Sequence, residues 1–111
     1  MLVLCALFAF LCFAQPDEKR KFSPKWIPQE SGTKASLRGV CAVNDRIAWA
    51  SGSDGVCLRT TNGGKIWKRI LVPDAGDSDF RDVHAMDGQT ALLLVAGKPP
   101  KIWKTMDGGL H

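Results

Sequence analysis

Thr60-Thr61-Asn62-Gly63-Gly64-Lys65-Ile66-Trp67 decides how this chain is read. The pattern returns as Thr105-Met106-Asp107-Gly108-Gly109-Leu110-His111, shifted by 45 positions, from 62 to 107. Each copy sets a threonine two places before an Asn or Asp, and a Gly-Gly pair follows. A short polar side chain that accepts backbone N–H bonds, next to glycines free to take φ > 0, makes a tight turn. Recurrence at this period marks a repeat architecture.

Outward from the first copy, the chain reads as short strands. Leu37–Val43, Ile47–Ser51, Val56–Thr60 and Trp67–Val72 are rich in apolar and β-branched residues and are bounded by turn residues. The turns are Asn44-Asp45, Gly52–Gly55 and Asn62-Gly63-Gly64. Phe80–Met86, Thr90–Val95 and Lys101–Thr105 repeat the first three strands, joined by Asp87-Gly88 and Ala96–Pro100. Leu37 aligns with Phe80 at an offset of 43, from 37 to 80, and Thr60 with Thr105 at 45. The difference falls in the longer second turn, where insertions are tolerated. A four-stranded antiparallel unit repeated every ~40–45 residues is a propeller blade.

The expected fold is therefore all-β, a partial β-propeller over residues 26–111, with one blade at 37–72 and an incomplete one at 80–111. Trp26-Ile27-Pro28 (26–28) falls where an outermost strand should precede the first blade. It reads as a closing strand, a device that hides two sheet edges at once. A closed ring takes about 4–8 blades. The expectation is that the working protein continues past His111, with the missing Trp next. A complete small all-β domain is the alternative, and it would leave two long sheet edges bare.

Composition places the chain among globular proteins, with 45% hydrophobic and 23% charged residues. The net charge of +4 comes from scattered basic residues, apart from Lys19-Arg20-Lys21. A nucleic-acid surface would want a basic stripe with interleaved aromatics, so nucleic acid is not an expected partner. Met1 to Ala14 is uncharged and apolar, and Gln15–Lys21 turns abruptly polar. That run is short for a membrane span and suits a signal-peptide core cleaved after Ala14. Residues 1–14 are then a signal peptide, 15–25 a linker, and the mature protein is exported.

Cys41 and Cys57 remain in the mature chain. They sit on the first and third strands of one blade, about 9–10 Å apart at strand spacing. That exceeds disulfide reach, so buried free thiols are expected. Neither belongs to a CxxC, and only His84 and His111 could add imidazole, so no zinc site is expected. Asp74, Asp77 and Asp79 lack the full ligand set and closing Glu of a calcium loop. No metal and no cofactor are expected. His84 lies two residues from Asp82 on a strand, and its expected role is structural. Trp49 and Trp103 are expected to pack the blades.

Thr60 to Trp67 resembles the Asp-box, or BNR repeat, Ser-x-Asp-x-Gly-x-Thr-Trp. Thr60, Asn62, Gly64 and Trp67 match, and Ile66 departs from the pattern. Thr105, Asp107 and Gly109 match in the second copy. The resemblance implies a structural role: the polar side chain braces the turn and the Trp covers it.

Ser36–Val40, Ala48–Gly52, Gly55–Trp67 and Phe80–Val83 also resemble the propellers related to the photosystem II stability and assembly factor of cyanobacteria and chloroplasts. That resemblance implies a seven-bladed, exported or lumenal propeller that binds a protein partner during complex assembly, a membrane-complex subunit among the candidates. It implies a binding scaffold rather than an enzyme. Arg38 and Arg81 hold the same repeat position, where the innermost strand begins. They are the candidate partner-binding residues, able to form a patch for anions or carboxylates; pairing with Asp79 or Asp82 is the competing reading. Sialidase-like glycosyl hydrolases carry Asp-boxes too. They need a Tyr nucleophile with a Glu partner, whereas this chain has no Tyr and only Glu18 and Glu30. That alternative places the catalytic residues in blades beyond this sequence.

Overall fold

The computed structural model describes residues 23–111. The expected signal peptide, its cleavage after Ala14 and most of the linker lie outside the described residues. Seven strands follow one another: β1 (Leu37–Ala42), β2 (Ala48–Gly52), β3 (Cys57–Thr60), β4 (Lys68–Ile70), β5 (Phe80–Ala85), β6 (Ala91–Val95) and β7 (Lys101–Thr105). There is no helix among the described residues.

All neighbours are antiparallel, in the order β1-β2-β3-β4 in one sheet and β5-β6-β7 in the other. Sequential hairpins of this kind follow from connections too short for a crossover. The fourth strand is shorter than the expected Trp67–Val72, because Trp67 precedes the ladder in irregular backbone and Leu71 and Val72 lead into the loop. Trp26-Ile27-Pro28 is paired with no strand among the described residues, and Trp26 is 94% exposed.

The two sheets stack face to face. Trp49 and Cys57 from the first meet Phe80, Val83, Ala85, Ala91, Leu93 and Val95 from the second. Phe80 and Trp49 are the largest side chains fully removed from water. Burial at this scale contributes about 1.5–3 kcal/mol per large apolar side chain. Polar links cross the same interface. Ser51 Oγ donates to Phe80 O at 3.4 Å and Trp49 Nε1 to Asp87 O at 3.3 Å. Cys41 Sγ accepts from Ala85 N at 3.3 Å. A smaller cluster of Ala50, Val56 and Leu58, with Ala35 and Trp67, occupies the other face of the first sheet.

Among the described residues, Cys41 and Cys57 are both free. Cys57 is buried, as expected, and burial pushes its thiol up to about 12. Cys41 differs from the expectation in being only half-buried. It lies on the innermost strand, whose four residues other than itself and Gly39 are all exposed.

The two Gly-Gly turns are built alike. In the first, Thr60 Oγ1 donates to Asn62 Oδ1 at 3.0 Å and accepts from Gly64 N at 2.9 Å, and Asn62 Oδ1 accepts from Ile66 N at 2.9 Å. In the second, Thr105 Oγ1 donates to Asp107 Oδ1 at 2.9 Å and accepts from Gly109 N at 2.9 Å; Asp107 Oδ1 accepts from His111 N at 2.9 Å. Gly63 and Gly64 take φ of 72° and 87°, and Gly108 and Gly109 take 72° and 92°. Only glycine holds such angles without strain. The backbone N–H and imidazole of His111 lower the Asp107 carboxyl to about 2.

Candidate functional site

Arg38 and Arg81 stand at matching places, one residue into β1 and β5. In both strands the pairing register breaks there, between Leu37 and Gly39 and between Phe80 and Asp82. Each arginine is thus the extra residue of a β-bulge. A bulge kinks the strand and re-aims the side chain. Here it turns both guanidinium groups toward the end of the sheet away from the Gly-Gly turns. The register fixes that polarity: Leu37 pairs with Gly52, whereas Thr60 pairs with Ala48 next to Ala42 at the other end.

Between them stands Asp79, the last residue of the loop entering β5. Its carboxylate accepts from Arg38 Nε at 3.2 Å and forms an ion pair with Arg81 Nε at 3.0 Å. The arginine side chains are 40% and 53% exposed. Exposed pairs of this sort stabilise little, about 0.2–1 kcal/mol. Their effect is positional: one carboxylate holds two guanidinium groups from neighbouring sheets and leaves an excess of one positive charge. The competing reading, pairing with Asp79, is thus found for both arginines, and the shared carboxylate holds the two side chains together.

Gly39 makes that convergence possible. A Cβ added at Gly39 would stand 3.0 Å from Asp82 Cα and 3.1 Å from Val83 N. Without a side chain there, β1 and β5 approach closely, and arginines one residue earlier on β1 and β5 come within reach of one Asp. A groove of about 390 Å³ runs beside this rim, lined by Leu37, Arg38, Gly39, Val40, Leu58 and Trp67 among others. No group of three or more His, Cys, Asp or Glu able to hold a metal occurs among the described residues. Asp82 and His84 are exposed on β5.

Arg59 was not marked by the sequence pattern, yet it joins the two sheets. Its Nη1 donates to Gly88 O at 3.0 Å and to Gly108 O at 2.9 Å. Its guanidinium also lies 5.4 Å from the Trp49 ring centroid. The first sheet therefore reaches into two turns of the second. The available signal was periodic: Lys104 recurs at the Arg59 position, opposite Leu92 as Arg59 is opposite Trp49.

Stacked antiparallel sheets, each entered at its innermost strand, define this class of protein: an all-β fold made of β-propeller blades. The comparisons agree with that class. No family model matches the chain. Over 51 residues it is 35% identical to the chloroplastic photosystem II stability/assembly factor HCF136 of Arabidopsis thaliana. A solved structure of YCF48 bound to a D1 peptide matches over 80% of this chain with a TM-score of 0.62 and 24% identity. The chain spans 13% of the curated relative and 30% of the solved chain.

Proposed function

We propose that this chain is a non-enzymatic, exported binding and assembly-factor propeller, similar to the photosystem II assembly-factor-like proteins. Its two Thr-x-Asn/Asp-Gly-Gly turns serve as Asp-boxes, clasps that brace each blade at the end opposite the ligand rim. Removal of a signal peptide after Ala14 delivers it across a membrane. Its partner is a protein segment, one belonging to a membrane-complex subunit, that presents carboxylates to Arg38 and Arg81. The observation that carries this reading is the shared grip of both arginines on Asp79, from equivalent bulges in neighbouring blades. Their guanidinium forks suit carboxylates and are already gathered before any ligand arrives. Similarity to HCF136, and the peptide held by the similarly folded YCF48, support a peptide as the ligand class.

Fluorescence anisotropy with a labelled D1 peptide tests it. The expected result is saturable binding that weakens with salt and falls at least ~10-fold in the Arg38→Ala/Arg81→Ala variant. An affinity unchanged by that double substitution would refute the assignment of the rim.

A further inference from the structure

The carboxylate between the two arginines is held more firmly than the arginines themselves. Asp79 follows Ser78, whose carbonyl accepts from Gly55 N at 2.7 Å and whose N–H donates to Ala75 O at 3.0 Å. The Ser78 hydroxyl donates to the same Ala75 carbonyl. Ala75 is buried, and so is Phe80 on the other side of Asp79, paired with Val95 on β6. Gly55, at φ 67°, lets the turn between β2 and β3 come against this loop; a Cβ there would stand 2.5 Å from Gly76 O. Asp79 is thus anchored on both sides, to the first blade through Ser78 and to the second through Phe80. An exposed arginine side chain has many rotamers to lose, and a fixed carboxylate removes much of that freedom.

The way the carboxylate is used decides what room is left. Oδ1 faces Arg38 Nε at 3.2 Å and Oδ2 faces Arg81 Nε at 3.0 Å. One oxygen serves each guanidinium, so the central place between the two groups is taken. The end of each guanidinium, made by its two Nη nitrogens, makes no hydrogen bond among the described residues. Each such end is a planar fork that matches one carboxylate. Nearby acids do not compete for it. Asp82 Oδ1 accepts from Val83 N at 2.9 Å, and Asp54 Oδ2 accepts from Ser53 Oγ at 3.4 Å. Neither forms an ion pair with an arginine among the described residues.

Space and charge then select the same ligand. Arginine clusters bind phosphate by converging on it, and here the point of convergence holds Asp79. Its negative charge also repels an entering anion, twice as strongly for a dianion as for a monoanion. We propose that Asp79 is the specificity-determining residue of the rim. It keeps phosphate out of the place between the arginines and leaves two outward forks, each of which takes one carboxylate of an acidic, unphosphorylated peptide. This rests on the reading of Arg38 and Arg81 as a carboxylate site and adds the residue that sets its choice of anion.

Coulomb's law gives the size of the effect. At ~6 Å and an effective dielectric constant between about 20 and 80, removing one negative charge favours a dianion over a monoanion by ~3- to ~100-fold. The test titrates the isotope-labelled full chain with acetate and with inorganic phosphate at pH ~8, where phosphate is mostly dianionic. Backbone N–H signals of Gly39 and Asp82 report binding, and the arginine Nε–H signals report the grip of Asp79. In the wild type, acetate should shift the former and leave the latter hydrogen-bonded. In Asp79→Ala the ratio of phosphate to acetate affinity should rise ~10-fold, the middle of the Coulomb range. Asp79→Glu keeps the charge and should stay within ~3-fold of the wild-type ratio.

A rise below ~3-fold in Asp79→Ala overturns the proposal. So does loss of the Nε hydrogen bonds when acetate is added to the wild type, since the ligand then displaces Asp79 instead of binding beside it. Anisotropy with the labelled D1 peptide on the same proteins separates this from the functional reading. Peptide binding with an unchanged anion ratio sinks the role of Asp79 alone. A shifted ratio without peptide binding upholds Asp79 and removes that peptide as the ligand.

Discussion

Replacing Arg59 by methionine isolates the strongest polar tie between the blades. Met keeps most of the aliphatic stem and its packing, and removes the guanidinium. Two bonds from a charged donor are lost, those to Gly88 O and Gly108 O at 3.0 and 2.9 Å. Bonds involving a charged group contribute about 1.5–3 kcal/mol each. The contact with the Trp49 ring, 5.4 Å to its centroid, adds roughly 0.5–1 kcal/mol. These terms share one side chain and do not add fully, and Arg59 is only half-buried, which favours the low end. The expected loss is about 3 kcal/mol. Domains of this size hold roughly 0.05–0.15 kcal/mol per residue, so the variant should lose a large fraction of its stability. Urea unfolding followed by tryptophan fluorescence gives the number, read as a lower midpoint at unchanged slope. Arg59→Lys should fall between, since an ammonium keeps the charge without the planar fork. A loss below about 1 kcal/mol for Arg59→Met would refute the assignment of Arg59 as the tie between blades.

Two further outcomes follow from the geometry. Cys57, raised to about 12, stays a neutral thiol in the folded chain where an unfolded one ionises; stability is therefore full below pH ~8.5 and falls by about 1.4 kcal/mol per pH unit as pH climbs toward 12. Urea midpoints at pH 8 and pH 10 check the sign, and a Cys57→Ala variant should flatten that dependence. Gly39→Ala forces a methyl to within 3.0 Å of Asp82 Cα; it should destabilise the chain by about 1–3 kcal/mol through overpacking and weaken peptide binding by parting the two arginines, which the anisotropy assay would report.

Local chemistry was legible in the sequence, and tertiary placement was not. The turns could be read because each rests on residues near in sequence: Thr60, Asn62 and Gly64 act on one another within a single turn. Strand order followed from loops too short for anything but hairpins, and free cysteines followed from strand order. The bulges at Arg38 and Arg81 left no such mark, since alternation through Leu37–Val43 survives an extra residue at its start. Sharing of Asp79 depends on how closely β1 approaches β5, a distance set by Gly39 in a different blade. Arg59 was missed because its acceptors, Gly88 and Gly108, are backbone carbonyls of the neighbouring sheet. Such groups have no identity in a sequence.

The paired bulges also make the rim a ruler. The two described blades each set one arginine at the same point of the innermost strand, so the two guanidinium groups are spaced by the pitch of the stacked sheets, at most about 10 Å. An extended peptide advances about 3.3 Å per residue. Laid across the two blades, it meets their two positive forks two to three residues apart. Selectivity would then lie in the rhythm of acidic side chains along the ligand more than in the identity of any single one.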